Sequence, residues 1–347
     1  MKYQFDSNFT KECFEALVNV PSPVGYALKM EPVLEQWAAK LGFSVTYDHR
    51  RTPYITVEGQ DNTKTVQVNA HLDTLGLMVR AIDSNGWLRL RQLGGINYNT
   101  VDGETVTVYT RDGRSYTGLI LCQYHSVHVY KEDARGQLRT EDNMVVMLDE
   151  PVTSAEDVRK LGIRNGDVIN IHPRCQITEN GYIKSRYVDD KACVACVLTA
   201  LRYMKENGLK PRFRTLFAFP YSEEIGTGCN YVSAEVSEMI ALDVGLIGPG
   251  LEGSDRKVSI CAKDASIHYD YELTSHLIRL AEENGIDYAV DVYNNYGSDA
   301  GAALKGGCNL RAAIFGMGTY GTHGVERTHM DGVNATTALL LAYLLEA

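Results

Sequence analysis

The chain reads as an α/β protein: a mixed sheet with helices on both faces, interrupted by a small all-β, barrel-like insertion. Three observations carry that reading. Continuous apolar strands alternate with helices near the start and again through the second half, the pattern of a sheet covered on both faces. From about 75 to 175 the texture changes to short strands separated by turns. At 347 residues, the chain also exceeds one average domain.

The elements follow in order. Apolar spacing predicts helices over 8–20 and 26–41, with the Pro21-Ser-Pro23 break between them. Residues 54–58 and 65–71 read as strands. The insertion, 75–175, offers GLMVRAI, WLRLRQL, ETVTVYT and YTGLILC as strands, with turns at Ser84-Asn85-Gly86 and Arg111-Asp112-Gly113. Its only expected helix is 154–161. Beyond it, RTLFAFP, MIALDVG, VSICAK, YAVDVY and LRAAIF read as strands. KACVACVLTALRYMKENG, TSHLIRLAEENG and NATTALLLAYLLEA read as helices. The expected division is therefore an α/β domain of 1–74 plus 176–347, and an inserted β domain of 75–175.

Composition narrows the function. Lys plus Arg is 34 against 44 Asp plus Glu, a net charge of −10. An acidic chain without a basic run is a poor partner for nucleic acid. No apolar stretch is long enough for a membrane span. The N-terminal segment lacks the apolar core of a secretory signal. The eight cysteines then read as reduced thiols, and the expected location is the cytoplasm. Cys193-x-x-Cys196 lies within an apolar helix and has no second pair, so it reads as buried thiols. Gly316-Met-Gly-Thr-Tyr-Gly321 matches a dinucleotide fingerprint, but no helix, further strands or acidic residue follow as that fold requires.

Chemistry gathers at strand ends. The strand VQVNA runs into His71, with Asp73 two positions on. RTLFAFP precedes Glu223-Glu224, MIAL precedes Asp243, and LRAAIF leads through a glycine-rich loop to His323. Asp189 and Asp190 stand just before a helix, where Asp189 either binds metal or caps. Ligands of open α/β sheets collect beyond the carboxyl ends of strands, which would bring these residues to one crevice. Two histidines with several carboxylates suit Zn²⁺, Co²⁺ or Mn²⁺. After a turn, one of two adjacent glutamates can bind metal while the other faces bound water. Glu224 is the expected ligand and Glu223 the general base. Asp73, two residues from His71 on one side of the chain, can hold its imidazole.

These segments resemble the tetrahedral aminopeptidases, the glutamyl and deblocking group of co-catalytic dinuclear metallopeptidases. His71-Leu-Asp73-Thr-Leu-Gly76 is similar to their His-x-Asp-x-x-Gly. Val20-Pro-Ser-Pro-Val-Gly25, Asp189-Asp-Lys191, Ser222-Glu-Glu224-Ile-Gly226, Leu242-Asp243-Val and Gly297-Ser-Asp-Ala300 resemble further motifs in the same order. Leu93-Gly-Gly95 and Thr110-Arg-Asp-Gly113 resemble their inserted domain.

The resemblance implies a phosphorylase/hydrolase-like aminopeptidase domain with two divalent metal ions, zinc, cobalt or manganese. His71, Asp189 and Asp243 would hold one. Asp189, Glu224 and His323 would hold the other, with Asp189 bridging. Glu223 would take the proton of a metal-bridged water as it attacks the first peptide bond, and return it to the leaving amine. Asp73 would be the orienting carboxylate. Short peptides would be the substrates. The inserted domain would pair subunits into dimers and then a hollow dodecamer.

The sequence departs from the family pattern near its end. Tyr320-Gly-Thr-His323 lacks the usual arginine, and Gly324-Val-Glu326-Arg-Thr-His329 offers His329 as a second candidate ligand. Spacing from the Gly297 loop favours His323. Asp299 either lines the pocket or caps the next helix. Two other readings stay open: a related carboxypeptidase or N-acyl deacylase, and a non-catalytic relative.

Overall fold

The computed structural model describes residues 2–346. They form two compact units, one made of the residues up to Thr74 and from Arg174 onward, the other of Leu75–Pro173.

The first unit is built on a nine-stranded mixed sheet. Four parallel strands form its centre, in the order Phe213–Ala218, Asp61–Asn69, Val236–Leu242 and Arg311–Thr319. Pro53–Val57 and then Thr46–Tyr47 extend one side antiparallel. Val258–Lys263, antiparallel to Arg311–Thr319, and Tyr288–Val292 extend the other. Gly245–Leu246 adds a short parallel pairing to Arg311–Thr319. The inner halves of the central strands bury every residue. Helices cover both faces, and their apolar runs supply the side chains. Val188–Glu206 and Met330–Glu346 are buried nearly all round, as expected of helices inside the fold. Ser7–Val18 buries one stripe, Phe9, Cys13, Phe14 and Leu17 among it, and is capped by Asp6.

The expected helix over 26–41 begins only at Glu31 and ends at Lys40. Residues 26–30 form turns, and Pro32 sits in the first helical turn, where its missing N–H costs nothing. A three-stranded sheet, Gln176–Ile177, Tyr182–Ser185 and Glu326–His329, was not legible in the pattern. Its strands are too short to display alternation, yet it carries residues that matter below.

The second unit is a closed antiparallel barrel of six strands. Going round, these are Gly76–Ile82, Leu88–Leu93, Met144–Leu148, Ser115–Cys122, Thr105–Tyr109 and Val168–Ile171. Leu77, Val79, Leu88, Leu90, Val106, Val108, Ile120, Val146 and Ile169 fill it. Closure leaves no open sheet edge. Gly86 takes φ +86° in the Ser84-Asn85-Gly86 turn, a conformation that glycine adopts without penalty. The helix Ala155–Lys160 starts at a Ser154 cap. Two further helices, Val127–Tyr130 and Glu132–Gly136, depart from the strand-and-turn expectation. Each spans about one turn, too little for periodicity to reveal.

Candidate metal centre

The four central strands are parallel, so their carboxyl ends share one edge of the sheet. His71 lies two residues beyond Asn69, Glu223 five beyond Ala218, and Asp243 directly after Leu242. His323 follows Thr319 on a loop closed by main-chain bonds between Tyr320 and Arg327. Asp189 and Asp190 precede the regular part of the Val188–Glu206 helix, with non-helical torsions and a cis peptide between them. Asp189 does not cap that helix: its carboxylate turns to His71.

The distances define one cluster. His71 Nε2 lies 3.1 Å from Asp189 Oδ1 and 3.7 Å from Glu223 Oε2. His323 Nε2 lies 3.5 Å from Glu224 Oε2 and 4.0 Å from Asp189 Oδ2. Ligand atoms of His71, Asp189 and Glu224 fall within 4.8 Å of one another. So do those of His71, Glu223 and Asp243, and those of Asp189, Asp190 and Asp243. His71 and Asp189 through Asp243 are buried, whereas the His323 side chain is 41% exposed. His329 lies in a different setting, bonded to the Asn180 carbonyl at 2.7 Å and to the Asp331 N–H at 3.0 Å.

Three carboxylates beside the cluster hold its main chain. Asp73 accepts the N–H of Glu223 on one oxygen and of Glu224 on the other, both at 3.1 Å. His71 Nδ1 is nearer the main-chain oxygen of Asp73, 3.0 Å, than its carboxylate, 3.5 Å. Asp73 thus fixes the glutamate turn as well as the imidazole. Asp190 accepts the His71 N–H at 3.0 Å. Glu326 accepts the N–H of Asp189 at 3.0 Å and of His323 at 3.3 Å. The sequence reading passed over Asp190 and Glu326. Both stood in motifs already noticed, but nothing in spacing distinguishes a backbone acceptor from a surface acid.

Electrostatics decide what the cluster can hold. Burial, and then neighbouring carboxylates, push Glu223, Glu224 and Asp243 well above the usual carboxylate range. Burial pushes Asp189 the same way, but the His71 hydrogen bond outweighs it and holds Asp189 low. Burial works against charge on His71, yet its bonds to Asp189 and Asp73 raise it well above the ordinary imidazole range. Among the described residues, no lysine or arginine pairs with Asp189, Glu223, Glu224 or Asp243. Buried carboxylates need a paired cation or a metal. Imidazole and carboxylate donors at these separations fit divalent ions of the zinc, cobalt and manganese class.

The cluster opens into a cavity of about 360 Å³. Its far wall includes Ser266, Asn295, Tyr296, Gly301, Ala302 and Lys305. Ser298, not Asp299, caps the Asp299–Lys305 helix. The Asp299 carboxylate is buried at Gly228, where any Cβ would collide with it. Cys193 and Cys196 are free and buried, as their helical setting implied.

A parallel α/β sheet whose strand ends collect histidines and carboxylates into one cleft defines a metal-dependent hydrolase of the peptidase type. Comparison with known proteins makes this specific. Residues 53–339 match the family model for M42 glutamyl aminopeptidase, and the chain belongs to that family of metallopeptidases. A Bacillus subtilis protein, YhfE, whose name carries a provisional aminopeptidase assignment, is 39% identical over 340 residues, covering 96% of this chain and 97% of its own. Two solved structures share the fold. A TET aminopeptidase from a marine-sediment thaumarchaeon superposes with TM-score 0.87 at 19% identity, covering 97% of this chain and 96% of its own. The TET1 peptidase of Pyrococcus horikoshii, which can assemble into a tetrahedron or a large octahedral shell, gives 0.85 at 20%, covering 97% and 100%.

Proposed function

We propose that this aminopeptidase releases N-terminal residues from short peptides at a two-metal centre, with Glu223 as general base. The observation that carries the reading is the cluster itself. Two sets of donors, His71 with Asp189 and Asp243, and Asp189 with Glu224 and His323, share one carboxylate between them. When bound, the metal ions supply Lewis-acid polarisation of the peptide carbonyl and a water of lowered pKa.

The chain does the rest. Glu223 lies within 3.7 Å of His71 Nε2 and belongs to no more than one of the two donor sets, so its carboxylate is free to take a proton from the attacking water. Burial raises its proton affinity, which matches a base that must later return the proton to the leaving amine. Asp73 holds the Glu223 and Glu224 main chain in register for this exchange. The carboxylates near the opening favour a free, protonated N-terminus. The cavity wall from Ser266 to Lys305 would receive the first side chain.

Assembly follows the same reasoning. Val127, Val129 and Leu138 of the barrel unit are exposed and apolar, and we assign this unit to contacts between copies of the chain, as in a closed shell.

A panel of matched peptides with free and N-acetylated ends tests the substrate assignment. Release of the first amino acid from free peptides only supports it. Cleavage confined to acetylated peptides would instead establish a deacylase, and loss of the last residue a carboxypeptidase.

A further inference from the structure

We infer that Glu326 is a positioning residue that ties the two candidate ligands Asp189 and His323 into one geometry. The inference rests on the two-metal reading above. Its basis is the local fold. Strand Glu326–His329 pairs antiparallel with Tyr182–Ser185, setting Glu326 opposite Ser185, four residues before Asp189. In the other direction Glu326 lies three residues after His323. One side chain therefore stands where two chain segments converge.

Its carboxylate uses both oxygens. Oε2 accepts the N–H of Asp189 at 3.0 Å, and Oε1 accepts the N–H of His323 at 3.3 Å. The residue is 3% exposed, so water does not compete for these bonds. The arrangement repeats that of Asp73 on Glu223 and Glu224: a buried carboxylate bridging the main chain of two site residues.

His323 has special need of such a tether. It sits on a loop at φ +62°, in the left-handed region that a histidine enters rarely. Its side chain is the most exposed of the five candidate ligands. The Tyr320–Arg327 bridge closes the loop below it, and Glu326 fixes its main chain relative to Asp189. A ligand pair held this way meets a metal without first being ordered. Residues that orient ligands in this manner typically govern affinity by about 10–100-fold.

Zinc titration of the chelator-stripped full chain, by dye competition, tests the assignment. Glu326→Gln is close in size to the parent but turns one acceptor into an NH₂ donor facing an N–H. It should weaken zinc binding by about tenfold or more, and Glu326→Ala by at least as much. The kcat for an aminoacyl amide should fall while KM changes less than about threefold. Arg327→Ala is the control. It alters the same strand through the Asp255 pair and the Tyr182 ring but touches neither N–H, so its zinc affinity should match the parent. Parental affinity in Glu326→Gln, or equal weakening in Arg327→Ala, would overturn the inference while leaving the metal centre intact. Absence of zinc binding in the parent would overturn both. Should the alanine variant fail to fold, the glutamine variant decides.

Discussion

The strand Val236–Leu242 has a buried carboxylate at each end, and the two are treated in opposite ways. Glu238, near its start, is 3% exposed. It accepts the Tyr343 hydroxyl at 2.7 Å, Lys64 Nζ at 3.1 Å and Arg311 at 2.5 Å. Asp243, just past its end, is 5% exposed and meets only the Val244 N–H at 2.7 Å, a tyrosine hydroxyl and more carboxylates. Where a carboxylate serves the fold, the chain supplies its cations. Where it serves the site, the chain supplies further acids and two imidazoles, leaving a place that suits cations from outside. The strand has thus been built as a structural pin at one end and as a metal-type site at the other.

Changing each end separately sharpens that contrast. The largest expected effect is on catalysis: Glu223→Gln should lower kcat by about 10²–10⁴-fold, read with a fluorogenic aminoacyl amide, without loss of metal. The two strand ends should then differ in sign. Glu238→Ala should destabilise the protein by about 1–3 kcal/mol in denaturant unfolding, because the buried Tyr343 hydroxyl loses its acceptor. Asp243→Asn should raise the Tm of the metal-stripped protein, since it removes a buried charge that lacks a counter-ion, while abolishing the gain in Tm on adding zinc. A destabilised, metal-free Asp243→Asn would break the comparison.

The pH response follows from the same difference. Glu223, Glu224 and Asp243 have folded pKa values above their unfolded ones, so the folded chain binds more protons and the stripped protein loses stability as pH rises from the usual carboxylate range. His71, raised by its carboxylate partners, contributes in the same direction: its stabilisation is full below the ordinary imidazole range and is lost above it. Asp189, held low, opposes them. The Tm of the stripped protein should therefore fall between mildly acidic and alkaline pH. Zinc should add more to Tm as pH rises, because its ligands must be deprotonated. The Asp243→Asn variant should show a flatter slope in the stripped state.

Much of this was legible because of repetition. Long apolar strands and helices, and the change of texture near residue 75, needed no structure to see. Nor did the rule that strand ends in an α/β sheet gather ligands, which pointed to His71, Asp189, Glu223, Glu224, Asp243 and His323 as a group. What stayed hidden was short or reciprocal. The hairpin at 176–185 and the turns of helix at 127–136 carry too few residues for a period. The backbone bonds of Asp190 and Glu326 arise from pairing between distant strands, which no local pattern encodes. Asp73 was expected to hold an imidazole; its carboxylate also holds two glutamate N–H groups 150 residues away.

The smallest expected effect lies on the cavity's far wall. Lys305 is exposed and among the described residues has no acidic partner. Lys305→Met should reduce the ratio of kcat/KM for glutamyl over glutaminyl amides by about two- to fivefold, the range of an exposed ion pair of roughly 0.2–1 kcal/mol.

One measurement addresses the central claim directly. Parent and Glu223→Gln proteins, both stripped with chelator, would be titrated with zinc while metal content and aminoacyl amide cleavage are followed together. Both should take up two ions per chain, and only the parent should regain cleavage. Cleavage at the parental rate in Glu223→Gln, or a folded parent that binds no zinc, cobalt or manganese, would contradict the account.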